Sequence, residues 1–336
     1  MKKNIVFPTQ NELARNLRVS QMTISRVLNN QPGVGSKLKE KIFQKMERLG
    51  YIPNSIARGL LKKSTRIIGL IIPDITNSFF PEMTKSIEYE AKKKGYHVVL
   101  SHSDELYSRE KEEINLLLGL RVEGLIIAPT GKQQEIDIYQ KLKRLKIPFV
   151  FIDRTKKAIN CNFVITDTRK GAYTLGRYLV EKGYRKWGYL RGPEGISSGE
   201  EHFEGLKKSL KEAGFPLNSI VSVQAGFFEE GGYRACQELL RKIKPDVIIG
   251  VNDPVAIGAY HFLKEKGIKI PENVALVGFS DIKPVDILES PLTTVREFPL
   301  TVGKRAVEVL FDEINEPGHK NLQEKVEPQL IIRKSG

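Results

Sequence analysis

The sequence predicts a multi-domain chain, with a small all-α domain at the N-terminus followed by a larger α/β region built as two parallel-sheet lobes. Three observations carry this. The formal net charge of +14 is concentrated in residues 1–66, which hold 14 Lys/Arg against 3 Asp/Glu. Short amphipathic helical patterns occupy residues 9–50. From residue 66 onward, apolar runs of strand length alternate with helical stretches, the mark of βαβ units. A chain of 336 residues is long enough for two or three such cores.

In the N-terminal segment, Thr9-Gln-Asn-Glu12 has capping-box spacing, and Leu13, Ala14 and Leu17 form one helical face, so a first helix is expected at about 9–17. After a turn at Arg18-Val19, Ser20 can cap a second helix at about 20–28, with Val19, Ile24, Val27 and Leu28 facing inward and the small Ala14 letting the helices cross closely. A third helix begins near Ser36, with Leu38, Ile42, Phe43, Met46 and Leu49 as its core face and Gly50 as its stop. Two helices joined by a few residues make a helix-turn-helix, whose second helix enters the DNA major groove. The chemistry of that helix is mixed as base reading requires. Ser20, Thr23 and Ser25 suit phosphates, Gln21 and Arg26 can reach base edges, and Met22 offers an apolar contact to a thymine methyl. A localised basic excess also gives sequence-independent affinity for a polyanion. A solubilising basic tail and an anionic membrane surface are the alternatives, but a tail lacks this periodicity and no long basic amphipathic helix is evident.

Next comes YIPNSIARGLLKKS, residues 51–64, where Pro53 can start a short helix capped by Asn54 or Ser55. Its Leu60 and Leu61 stand beside Arg58, Lys62 and Lys63, a composition suited to an apolar wedge in the minor groove; packing against the following domain is the other reading.

In the α/β region, strands are expected at 67–73, 97–101, 124–129 and 148–153, then at 187–193, 220–226, 246–253 and 274–281. Helices are expected near 81–94, 108–119, 134–146, 169–183, 199–213, 230–242 and 254–266. Ligands of such sheets bind beyond the carboxyl ends of the strands. Asp74, Ser101, Asp153, Asn252, Asp253, Ser280 and Asp281 lie just past apolar runs, suiting a hydroxyl-rich or heteroaromatic molecule, with Phe79 and Phe80 as a stacking wall. Helix capping is the competing role, with Asp253 as its foremost candidate.

TISRVLN, LGYIPNSIARGL and IIGLIIPDITNSFFPEM, occurring in this order, resemble the LacI/GalR family of bacterial transcriptional regulators, and the similarity runs essentially end to end. The resemblance implies a helix-turn-helix domain over 1–51, a hinge helix and linker over 52–64, and a periplasmic-binding-protein type I-like effector and dimerisation domain over 65–336. Its N-lobe would comprise about 65–163 and 293–322, and its C-lobe about 164–292 and 323–336. It implies a homodimer on a pseudo-palindromic double-stranded DNA operator, controlled by a sugar or related polar metabolite. The expected DNA contacts are Thr9, Ser20, Gln21, Met22, Thr23, Ser25, Arg26, Asn29, Tyr51, Asn54, Ala57 and Leu60. The expected effector contacts are Asp74, Phe79, Phe80, Asp153, His202, Asn252 and Ser280.

The chain departs from the family pattern at four places. Arg18 stands where the family usually has Gly and must then adopt positive φ, and Gly35 stands where Ser or Thr is usual, so Ser36 is expected to take over the cap. His202 stands where Arg is common, three residues before the Gly of EEHFEGL, and Ser280 replaces the first of two Asp after Gly-Phe. Arg presents a rigid fork of donors that His cannot copy. A different small molecule, a sugar held otherwise, and control by a protein co-regulator or by no effector all remain open, as does a solvent-exposed His202.

No GxSxG, Walker, HExxH or CxxC motif occurs, and the 5 histidines form no constellation, so neither an enzyme nor a cofactor or metal is expected. Cys161 and Cys236 are read as buried thiols of a reducing compartment. The apolar run Ile5–Phe7 is too short for a signal peptide, no stretch approaches a membrane span, and cytoplasmic residence is expected. The basic head sets the chain apart from a transport-associated binding protein.

Overall fold

The computed structural model describes residues 8–52, 64–318 and 320–336. Residues 1–65 and 66–336 form two separate compact units.

The first unit holds three helices, α1 (Gln10–Leu17), α2 (Gln21–Leu28) and α3 (Ser36–Leu49). Both halves of the expected capping box form: the Thr9 hydroxyl accepts from the Glu12 amide at 3.2 Å and the Thr9 amide donates to Glu12 Oε2 at 2.6 Å. Arg18 ends α1 with φ 54°, and the Val19 amide then bonds the Ala14 carbonyl at 3.1 Å, turning the chain into α2. The three helices close on Leu13, Ala14, Ile24, Val27 and Ile42. Two expectations fail here. Gly35, not Ser36, is the N-cap of α3, and no side chain caps it, because Ser36 already has helical geometry at the first position. Phe43 is 52% exposed: the narrow seam of a three-helix core is filled by Ile42 and flanked by Leu38, Met46 and Leu49.

The second unit has two parallel sheets. The first contains β1 (Ile67–Ile72), β2 (His97–His102), β3 (Leu125–Ile127), β4 (Phe149–Ile152), β5 (Asn162–Thr166) and β11 (Gln323–Val326) in the order β11-β5-β4-β3-β1-β2. The helices α4 (Phe79–Lys93), α5 (Tyr107–Gly119), α6 (Asp137–Arg144) and α11 (Pro299–Asn315) cover it. The second sheet contains β6 (Trp187–Arg191), β7 (Ile220–Gln224), β8 (Val247–Gly250) and β9 (Ala275–Val277) in the order β7-β6-β8-β9. Its helices are α7 (Thr168–Glu181), α8 (Ser197–Glu212), α9 (Glu229–Lys242) and α10 (Asp253–Glu265). A small antiparallel pair, β10 (Thr294–Arg296) with β12 (Gln329–Ile331), extends it through bridges from Val277 to Thr293 and from Ser280 to Arg296.

Both sheets wind second-first-third-fourth, so each has a topological switch point at the carboxyl end of its first and third strands. The chain changes lobe after Thr166, near residue 297 and after Val326, a few residues beyond the 163, 293 and 323 expected, because β5 and β11 run to their ends within the first sheet. Glycine is essential to one packing: a Cβ on Gly205 would lie 2.4 Å from the Arg169 carbonyl, so only glycine lets α8 lie this close to α7. Cys161 and Cys236 are both free and buried, and burial pushes each thiol up to about 12.

Candidate functional site

The first candidate surface is α2. Ser20 caps it, its hydroxyl accepting from the Thr23 amide at 3.1 Å and lying 2.9 Å from the Thr23 hydroxyl. Burial of Ile24 and Val27 leaves Gln21, Met22 and Arg26 on the opposite, exposed face, Met22 being 65% exposed. Gln21 is steadied by a bond from the Gln10 side chain to its carbonyl at 3.3 Å. Asn29 is turned back onto its own helix, donating to the Ser25 carbonyl at 2.9 Å and to the Ser25 hydroxyl at 3.3 Å, so Ser25 and Asn29 shape the end of α2. Thr9 lies at the start of α1, held by its capping box, and Tyr51 packs half-buried against the core. Asn54, Ala57 and Leu60 lie outside the described residues.

The second candidate lies between the lobes, at the carboxyl ends of both sheets. A cavity there is lined by Asp74, Phe79, Phe80, Asp153, Asn252 and Ser280, six of the seven expected contacts, together with Glu105, Arg154, Phe227, Phe228, Phe279 and Glu297. The seventh, His202, does not line it. It is 0% exposed inside the second lobe, stacked on Tyr189 at 5.4 Å and edge-on to Phe279 at 4.8 Å, and neither ring nitrogen has a hydrogen-bond partner. Burial drives its pKa down to about 3, so it is a neutral packing ring behind the Phe279 wall, and not an exposed helix residue either.

The strand ends carry backbone strain. Asp153, Ser280 and Asp281 have φ of 60°, 121° and 56°, conformations uncommon for non-glycine residues. Asp74 is committed to its own turn, accepting from the Thr76 amide at 2.9 Å and the Asn77 amide at 3.2 Å. Asn252, not Asp253, is the cap of α10: its Oδ1 accepts from the Val255 amide at 2.9 Å and its Nδ2 donates to the Phe227 carbonyl at 3.0 Å. Asp253 is the first helical residue, and its carboxylate accepts from the Thr294 hydroxyl at 2.7 Å and the Ile282 amide at 2.9 Å, pinning α10 to the strand that leaves the lobe. Ser101 and Asp281 do not line this cavity; Asp281 holds Arg296 and Arg333 at 2.6 and 2.7 Å.

Arg154 is 4% exposed and grips Glu105 with two bonds of 2.6 and 2.7 Å while lying 4.7 Å over the Phe227 ring. Its Nε is 3.1 Å from Asp153 Oδ2 but too far off axis for a hydrogen bond. Glu297, 6% exposed, is bonded by the Ser280 hydroxyl at 2.6 Å. Burial, and then the nearby Asp153, raise its pKa to about 8, while burial holds Asp153 at about 6.

A family model of bacterial regulatory proteins, lacI family, matches residues 9–54, and one of periplasmic binding proteins and the sugar-binding domain of the LacI family matches residues 65–333. The chain belongs to the LacI family. It is 28% identical to the ribose operon repressor of Haemophilus influenzae across 97% of this chain and 98% of that one. It is 30% identical to catabolite control protein A of Priestia megaterium across 90% and 92% respectively. Its fold matches a Lac repressor dimer bound to operator and the anti-inducer ONPF with a TM-score of 0.85 and 25% identity, covering 98% of this chain and 99% of that one. This LacI-family chain is therefore a DNA-binding transcriptional regulator with a periplasmic-binding-protein-like domain, and not an enzyme. Among the described residues no helix is long and apolar enough to cross a membrane.

The sequence reading missed Glu105, Arg154, Phe227, Phe228, Phe279 and Glu297. Arg154 and Phe279 adjoin residues that were singled out, and the signal was the strand end itself, which brings in more than the first polar residue. Glu297 had no such signal, since β10 is three residues long and reads as loop.

Proposed function

We propose that this chain is a cytoplasmic, dimeric repressor of carbohydrate or related catabolic genes, whose operator affinity is set by a small polar molecule between the lobes. The observation that carries the reading is the pairing of an α2 that buries Ile24 and Val27 and exposes Gln21, Met22 and Arg26 with a separate unit whose two switch points open on one lined cavity. The first reads base edges and the second senses a metabolite. Ser20, Thr23 and Ser25 supply hydroxyls near the backbone phosphates, and Thr9, Tyr51, Asn54 and Ala57 complete the grip. Leu60 from each protomer enters the minor groove, as an apolar wedge that bends the duplex. A ligand between the lobes favours one lobe orientation, which changes the spacing of the paired hinges.

Removing residues 1–64 should abolish DNA retardation and leave ligand-induced thermal stabilisation of the remaining unit unchanged, as measured with a panel of sugars, sugar phosphates, nucleosides and purines. Retardation that survives the deletion would refute the assignment of DNA binding to α2 and the hinge.

A further inference from the structure

The cleft lining is rich in acidic groups. Four carboxylates line it, Asp74, Glu105, Asp153 and Glu297, against one cation, Arg154. Asp74 is satisfied by its own turn, and the guanidinium of Arg154 is spent on both oxygens of Glu105. Asp153 is left with an off-axis ion pair, and Glu297 with hydroxyl partners alone. Among the described residues no basic side chain pairs with Glu297. Phe79, Phe80, Phe227, Phe228 and Phe279 also line it, Phe227 already carrying Arg154 over its ring; aromatic faces attract cations and offer a neutral hydroxyl little. A buried carboxylate lacking a cation is costly, and a ligand that brings the missing charge recovers that cost.

We propose that the effector carries a protonated amine on a polyhydroxylated frame, an amino sugar or a comparable hydroxylated amine, and that its ammonium group is received by Asp153 and Glu297 while a phenylalanine wall covers its apolar face. The proposal rests on the cleft being the effector site and adds the charge of its occupant. Asn252 and Ser280, already bonded to the protein, still have donor and acceptor capacity for hydroxyls of the frame.

The charge makes binding depend on pH. Glu297 is faced by Asp153 from the end of β4 and by Asp253 from α10, with Arg154 and Glu105 beyond Asp153. These neighbours and burial keep Glu297 protonated below about 8. An ammonium ion must displace that proton, so wherever the ligand amine is itself protonated in solution its binding releases a proton and weakens as pH falls toward 6. A neutral sugar does neither.

The test is calorimetry on the full chain at pH 8 and pH 6 with matched pairs: glucosamine with glucose, galactosamine with galactose, mannosamine with mannose. In at least one pair the amine should bind about tenfold or more tighter than its hydroxyl partner, as a charge-assisted bond requires. That preference should shrink at pH 6 and be lost in Glu297→Gln. Phe228→Ala, at an exposed ring of the cleft wall, should weaken both members. Binding of a neutral sugar as tight as its amine, weakened by Phe228→Ala, overturns the amine and leaves the cleft reading standing. Binding indifferent to both substitutions puts the ligand elsewhere and fails the cleft reading. No binding by any of the amines overturns the proposal.

Discussion

His202 shows at the scale of one residue how packing decides what a side chain does. A neutral imidazole stacked on Tyr189 with both nitrogens unpaired leaves two polar atoms unsatisfied in the core. Its folded pKa of about 3 lies below the ordinary 6.5, so between those values the unfolded chain binds a proton that the folded chain refuses. Stability is therefore lost as pH falls from 6.5 toward 3, at up to about 1.4 kcal/mol per pH unit. His202→Phe keeps the ring stack and removes the titration, so urea unfolding at pH 7 and pH 4.5 should show a smaller acid loss than in the parent chain. An equal loss would mean that His202 is hydrated in solution. Asn252 carries a structural duty as well as its proposed effector contact. Asn252→Ala should cost about 1–2 kcal/mol of stability, since it removes a helix cap and unpairs the Phe227 carbonyl. Its effect on ligand affinity must be read at a temperature where the variant is folded.

At the scale of the element, the best-read parts are those whose signals are local. The Thr9 capping box, the Ser20 cap and the strained Arg18 follow from a few adjacent residues and form as expected. Arg18→Gly should relieve the left-handed turn by about 1 kcal/mol. Exchange of the Leu13 and Ile24 amides should then slow about fivefold if they open with the whole domain; faster exchange would show that the Arg18 side chain holds the turn. Strands buried on both faces, such as β1 and β8, were legible as apolar runs. By contrast β11, QEKV at the sheet edge, and the three-residue β10 have no apolar run, and only their partners make them strands. The α11 helix was missed although amphipathic, because the chain returns to the first lobe there and nothing local announces a return. The cleft was half legible for the same reason. Asp74, Asp153 and Asn252 each end a readable strand, whereas Glu297 comes to Asp153 only through the crossover, and whether His202 faces cleft or core is decided by packing.

At the scale of the whole molecule, the proposed function needs both compact units, 1–65 and 66–336. Leu60→Ala should weaken operator binding and reduce the DNA bend, while the melting point of the 66–336 unit stays unchanged. A lowered melting point with intact DNA affinity would make Leu60 a packing residue instead. In the proposed function two copies of the chain read one operator through α2. Selection of binding sites from a random duplex pool by the full chain tests it most directly, run in parallel with Arg26→Ala. The recovered sites should share a pseudo-palindrome. Arg26→Ala should cost about 1–3 kcal/mol on the preferred site and relax one base pair in each half, as loss of a bidentate guanine contact would. An asymmetric consensus, no enrichment at all, or equal weakening by Arg26→Ala on every sequence would contradict it.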